Sequence, residues 1–151
     1  MSRPSLYEAA GGAPAMLALA ADFHARCLAD PVLEHPFSHG VSPAHVQRLA
    51  DYWGEVLGGP PVYSSRFGGQ EAMIRLHAHQ GADADLGDRF VACFVAAIDS
   101  AGLPREPELR SALAAYMTWA TRDVLAFSPK DAVIPSGLTV PHWDWDGLRS
   151  G

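Results

Sequence analysis

Glycine and proline punctuate this chain, and between the breaks its apolar residues recur every three or four positions. Gly11-Gly12 precedes one apolar stretch and Gly58-Gly59-Pro60-Pro61 ends another. Gly68-Gly69 and Gly81 bracket a third, Gly102-Leu103-Pro104 ends a fourth, and Ser128-Pro129 ends a fifth. Such pairs mark turns. Met16, Ala20, Phe23 and Cys27 are spaced by four, three and four, which is one face of a helix. Pro14 lies near the first turn of that helix, where a missing N–H is tolerated. Ser42-Pro43 offers an N-cap and first turn to a helix carrying Val46, Leu49, Trp53, Val56 and Leu57. Phe90, Phe94, Ala97 and Ile98 mark a third helix, and Leu109, Leu113, Tyr116, Ala120 and Val124 a fourth. No strand-like alternation of useful length competes. The pattern predicts an all-α fold of four substantial helices joined by short turns. Residues 128–151, rich in Pro, Gly and Trp, are expected to form an irregular tail.

Composition narrows the function classes. The chain has 151 residues, 48% of them hydrophobic, which suits one domain with a real core. No run of about 18 apolar residues exists, so no transmembrane helix is expected. Seventeen acidic residues against 11 basic ones give a net charge of -6, which argues against a nucleic-acid or anionic-membrane surface. The start MSRPSLYE lacks a basic-then-apolar leader, and two cysteines, Cys27 and Cys93, are too few for a disulfide scaffold. A cytoplasmic location is the expectation.

Seven histidines stand out: His24, His35, His39, His45, His77, His79 and His142. His77 lies in Met73-Ile-Arg-Leu-His77-Ala-His79, a segment between glycine breaks that is too short to be stable as a free helix. Its imidazole is either an iron or zinc ligand or a hydrogen-bonded surface group. His45 shares a helix face with Leu49 and Tyr52, at i+4 and i+7. His24 flanks the apolar face of the preceding helix. The two bracket a bound group between helices, or they are ordinary satisfied side chains. There is no CxxC, no HExxH, no GxSxG elbow, no P-loop and no dinucleotide fingerprint. Asp83, Asp85 and Asp88 lack the spacing of a calcium loop.

The order of the segments resembles a group II truncated haemoglobin, a bacterial globin of two helices packed over two. The resemblance covers roughly residues 5–127, with 128–151 as the tail beyond it. It rests on Leu6-Tyr-Glu-Ala-Ala-Gly-Gly12, Asp22-Phe23-His24, Ala29-Asp-Pro-Val-Leu33 and Phe37. It continues through Leu49, Tyr52-Trp53, Gly58-Gly-Pro60 with Tyr63-Ser64, Arg75-Leu-His77-Ala78 and Asp88-Arg-Phe90. The resemblance implies a two-over-two sandwich around haem b, with His77 as the proximal iron ligand. It places Phe37 as an aromatic wedge on the porphyrin and Leu49 as an apolar contact beside the bound ligand. Tyr63, Arg66 and Arg75 fall where haem propionates are anchored. Phe90 lines the pocket, as do His24, His45, Tyr52 and Trp53 on the distal side. Met73, Phe94 and Tyr116 are pocket wall or ordinary core.

The chain departs from that family on the distal side. Where group II members carry Tyr it has His24, where they carry Trp it has Phe90, and a usually small residue is His45. Phe90 has no N–H to donate, so a Tyr-and-Trp donor set becomes a pair of histidines. One imidazole hydrogen bond to a bound ligand is worth about tenfold in affinity. Three functions follow. The first is reversible binding of O2, NO or CO. The second is a peroxidase-like or NO-detoxifying enzyme that uses a distal histidine as base and takes electrons from an outside donor. The third is a globin without the usual ligand chemistry: a six-coordinate electron-transfer or sensor form, or a haem-free module. The partners implied are the diatomic ligand and an electron donor, and the chain is a monomer or homodimer. The tail segment Pro141-His-Trp-Asp-Trp-Asp146 covers an apolar surface or packs loosely.

Overall fold

A computed structural model describes residues 3–33, 44–67, 70, 74, 84–127, 129, 131–135 and 138–149. Among these residues there are six helices: α1 (Leu6–Ala10), α2 (Gly12–Ala29), α3 (Ala44–Val56), α4 (Val62–Phe67), α5 (Ala84–Ser100) and α6 (Pro107–Leu125). The four long ones are those that the apolar periodicity predicts. The Ser42-Pro43 cap lies outside the described residues. α6 opens with Pro107 in its first turn, where the absent N–H leaves no helix bond unmade. Ser5 Oγ accepts from the Glu8 amide at 3.2 Å and caps α1.

The helices form two pairs. α2 packs on α3 and α5 packs on α6, and α2 crosses to α5 to join the pairs. This is the two-over-two arrangement of a globin. α2 buries Met16, Leu19, Ala20, Phe23 and Cys27, the expected face with Leu19 added. The end of α3 is buried all round, from Tyr52 through Val56: Trp53 packs on Phe23 and Phe94, the Tyr7 ring lies over Gly54, and Tyr52 meets Tyr63 of α4. α5 and α6 approach closely at Gly87, where a β-carbon would come within 2.8 Å of Leu125 Cδ1 and 2.9 Å of Thr121 Cγ2. Cys27 is buried and Cys93 half-buried, both as free thiols.

The signature segments turn out to be contact partners. Tyr7 donates its amide to the Leu57 carbonyl at 2.9 Å, and its ring lies over Gly54 and Gly59. Asp30 closes α2: its Oδ1 accepts from the Val32 amide at 2.8 Å and the Leu33 amide at 3.3 Å. Both Asp30 oxygens also meet Arg89 Nη1 at 3.2 Å, tying the end of α2 to α5. The backbone amides, then Arg89, hold the Asp30 carboxyl below its ordinary range.

The tail is more ordered than its composition suggests. Trp143–Asp144 (β1) pairs antiparallel with Gly147–Leu148 (β2), Trp143 opposite Leu148. Two-residue strands are too short to show an alternating pattern, which is why the sequence reads as irregular here. Trp143 packs on α6, with Nε1 donating to the Ala112 carbonyl at 3.1 Å. Trp145 Nε1 donates to the Pro4 carbonyl at 2.8 Å, and the Arg3 guanidinium lies 3.6 Å above the Trp145 ring.

Candidate functional site

The α2–α3 contact brings two imidazoles together. His24 and His45 have ring centroids 5.2 Å apart with planes inclined at 54°. They are far apart in sequence, and helix packing alone makes them neighbours. Burial pushes the His24 imidazole below its ordinary value, so it is neutral at pH 7. A neutral ring carries one N–H and one bare nitrogen, and so both donates and accepts.

Phe23, the residue before His24, centres an aromatic cluster. Phe23 meets Trp53 edge-on at 5.3 Å, Phe94 edge-on at 6.2 Å and Phe90 at 6.2 Å. Trp53 and Phe94 close the triangle at 5.0 Å. Trp53 and Phe94 are core side chains, whereas Phe90, Leu49, Val46 and Leu86 are half-buried against that core. Tyr52 follows a different course from its neighbour Trp53, since adjacent helical residues diverge by about 100°. Its hydroxyl donates to Gln70 Oε1 at 2.6 Å, and its ring meets Tyr63 edge-on at 5.0 Å. Burial pushes the phenols of Tyr52 and Tyr63 up. Arg66 is exposed and borders a surface depression of about 220 Å³ with Pro60, Pro61 and Val62. Phe37, Met73, Arg75 and His77 lie outside the described residues, as do His35, His39 and His79. Gln70 and Ile74, on the segment leading to His77, are both buried.

The chain matches the model of the bacterial-like globin family over residues 5–124. This chain belongs to that family. A search of curated proteins returned no match. Among solved structures, the globin resembles haemoglobin from the thermophilic phototroph Chloroflexus aurantiacus. The TM-score is 0.71 at 29% identity, over 81% of this chain and 98% of the other. It also resembles a thermostable haemoglobin from Thermobifida fusca, with TM-score 0.67 at 27% identity over 88% of this chain and all of that one. The group II truncated haemoglobin of Bacillus anthracis shares the fold, with TM-score 0.74 at 17% identity over 91% and 98%.

A globin binds haem, and the residues present fit that group. Half-buried apolar side chains offer a face for a macrocycle, and two imidazoles stand beside it. Sequence reasoning missed Arg48, one turn beyond His45. Its guanidinium carbon lies 4.9 Å over the Phe67 ring. Its Nε is buried and, among the described residues, has no hydrogen-bond partner. A half-buried cation with one buried, unfilled donor suits a carboxylated cofactor. Gln70 was also missed, because nothing local to Gly68-Gly69-Gln70 signals a bond to Tyr52. Among the described residues, no three His, Cys, Asp or Glu side chains are grouped to hold a metal ion. No helix among them is long and apolar enough to cross a membrane.

Proposed function

We propose that residues 1–127 form a globin domain that holds haem b through His77 and binds O2 and related diatomic ligands, with 128–151 appended as a tail. The observation that carries this reading is the His24–His45 pair, two polar rings that meet on helices whose Val46, Leu49 and Phe23 pack into the apolar core. Haem, when bound, supplies the iron at which such a ligand attaches. The chain's own residues do the rest. His24, kept neutral by burial, presents an N–H without the charge that would draw water into the pocket. His45 faces it from α3, so either ring can present an N–H to a bound ligand. Leu49 and Phe90 supply apolar surface and no competing donor. Arg48, Tyr63 and Arg66 would hold the propionates, with Arg75 and Phe37 completing the cradle by family resemblance.

A second reading has one observation in its favour. A neutral His24 has a bare nitrogen able to take a proton from peroxide, the first requirement of a peroxidase-like activity. Such turnover draws on an electron donor outside this chain.

Absorption spectra of the ferric and ferrous protein test both readings. His77→Ala is expected to abolish stoichiometric haem binding, and full haem retention would overturn the assignment of His77. A six-coordinate ferric spectrum that reverts in His45→Leu or His24→Leu would move the reading to an electron-transfer or sensor globin. Peroxide reactivity unchanged in both variants would remove the peroxidase reading.

A further inference from the structure

Helix packing sets two imidazoles at a separation that metal coordination uses. The His24 and His45 ring centroids are 5.2 Å apart, with planes inclined at 54°. An imidazole nitrogen lies about 1.2 Å from its ring centre and about 2.0 Å from a bound metal ion, so each centre stands about 3.2 Å from the ion. Two such bonds at a right angle set the centres about 4.5 Å apart, at a tetrahedral angle about 5.2 Å, and in line about 6.4 Å. The observed separation is the tetrahedral one. Each ring reaches the required alignment by turning about its Cβ–Cγ bond, a torsion that is broad for histidine and leaves the ring centre nearly in place. Both rings are half-buried, so an ion and its water have access to them. The anchors are stiff. Phe23, next to His24, is 3% exposed and meets Trp53 of α3 edge-on at 5.3 Å. Val46 and Leu49, beside His45 and one turn beyond it, pack against the same core. A chelating pair held in place before the ion arrives loses little conformational freedom on binding.

We propose that His24 and His45 chelate a divalent late transition metal, copper(II) or zinc(II), in an exchangeable site that spans α2 and α3. Imidazole nitrogen suits both ions, and copper(II) is expected to bind more tightly by the general order of divalent affinities. Magnesium and calcium, which prefer oxygen, are not expected to bind. A structural zinc site uses four protein ligands and a catalytic one three. A site of two is therefore weaker and exchangeable, and water or a small anion fills its remaining positions. The ion site does not rest on the haem reading. Where haem is bound as proposed above, an ion held between the rings fixes the orientation of both and so changes what they offer a diatomic ligand.

The test titrates the purified full chain with zinc(II) by calorimetry and records X-ray absorption at the zinc edge. Zinc is expected to bind with nitrogen and oxygen neighbours at about 2.0 Å, scattering from two imidazoles and no sulfur at about 2.3 Å. Copper(II) is expected to displace it. His24→Gln and His45→Gln keep a polar side chain of similar size. Each is expected to weaken binding at least roughly tenfold, the least that even an indirect partner of a metal ligand contributes. The double variant is expected to lose little more than either, because a chelate with one arm gone has little left to lose. Should a Gln variant fail to fold, His24→Leu and His45→Leu carry the test. Zinc that survives in the double variant, sulfur beside the ion, losses that add in the double variant, or no binding to the parent chain each overturns the site. The titration reads the site with or without a Soret band, so its failure and that of the haem reading are distinguishable.

Discussion

The ring of Tyr7 lies so close to Gly59 that a β-carbon there would sit 2.8 Å from Tyr7 Cδ2 and 2.8 Å from the Gly54 carbonyl oxygen. The ring has some freedom to move, but the carbonyl is backbone. Gly59→Ala is therefore expected to destabilise the fold by about 1–3 kcal/mol, the usual cost of forcing extra volume into a packed contact. A urea unfolding midpoint that does not move would show that the turn yields.

Glu55 is a buried carboxylate, 4% exposed, that accepts from both the amide and the hydroxyl of Ser64 in the first turn of α4, the amide at 2.8 Å. Glu55→Ala leaves those donors without an acceptor and is expected to cost about 1–3 kcal/mol. Glu55→Gln keeps an acceptor and should cost less. Equal losses in the two variants, read from denaturant titrations, would mean that the hydrogen bonds are not what holds the turn.

Arg48 has a buried Nε with no partner among the described residues. Arg48→Ala is expected to speed haem loss to an acceptor protein roughly tenfold, as for one charge-assisted bond, with little change in the unfolding midpoint of the haem-free chain. An unchanged loss rate would show that the propionates are held elsewhere.

Burial lowers the His24 imidazole from its ordinary value of 6.5. The sign follows from proton counting: below that value the unfolded chain takes up a proton that the folded chain does not. Stability contributed by neutral His24 is therefore present above about pH 6.5 and is lost as pH falls toward the lowered folded value. Denaturation midpoints measured from pH 7.5 downward should fall less steeply in His24→Leu than in the parent. Parallel slopes would mean that His24 is solvated in the folded state.

The long helices were legible because each buries one face at a spacing of three or four. Met16, Phe23 and Cys27 show it in α2, and Leu109, Leu113 and Tyr116 in α6. Contacts between distant segments were not. Nothing near Tyr7 announces Gly59, and nothing near Asp30 announces Arg89; those pairings exist only once α2 has crossed α3 and α5. The histidine pair was half legible. Each ring could be placed beside an apolar face, but their closeness belongs to the packing of two helices. Tyr52 and Trp53 stand side by side in the sequence yet serve different neighbourhoods, Tyr52 toward Gln70 and Trp53 toward Phe23, because one helical step turns the chain by about 100°. Trp143 and Trp145 carried no periodic signal, since their partners are Ala112 and Pro4, far earlier in the chain.

Trp145 holds Pro4, and Arg3 lies over the same indole, so the start and finish of the described chain meet at one spot. Proteins whose ends meet tolerate having those ends joined and a new break opened elsewhere. For this globin a short linker across Arg3 and Arg149, with the opening placed at the exposed Gly102 turn, should give a rearranged chain that still folds. It would also let a sensor or a reductase module be inserted between α5 and α6 without disturbing the two histidines.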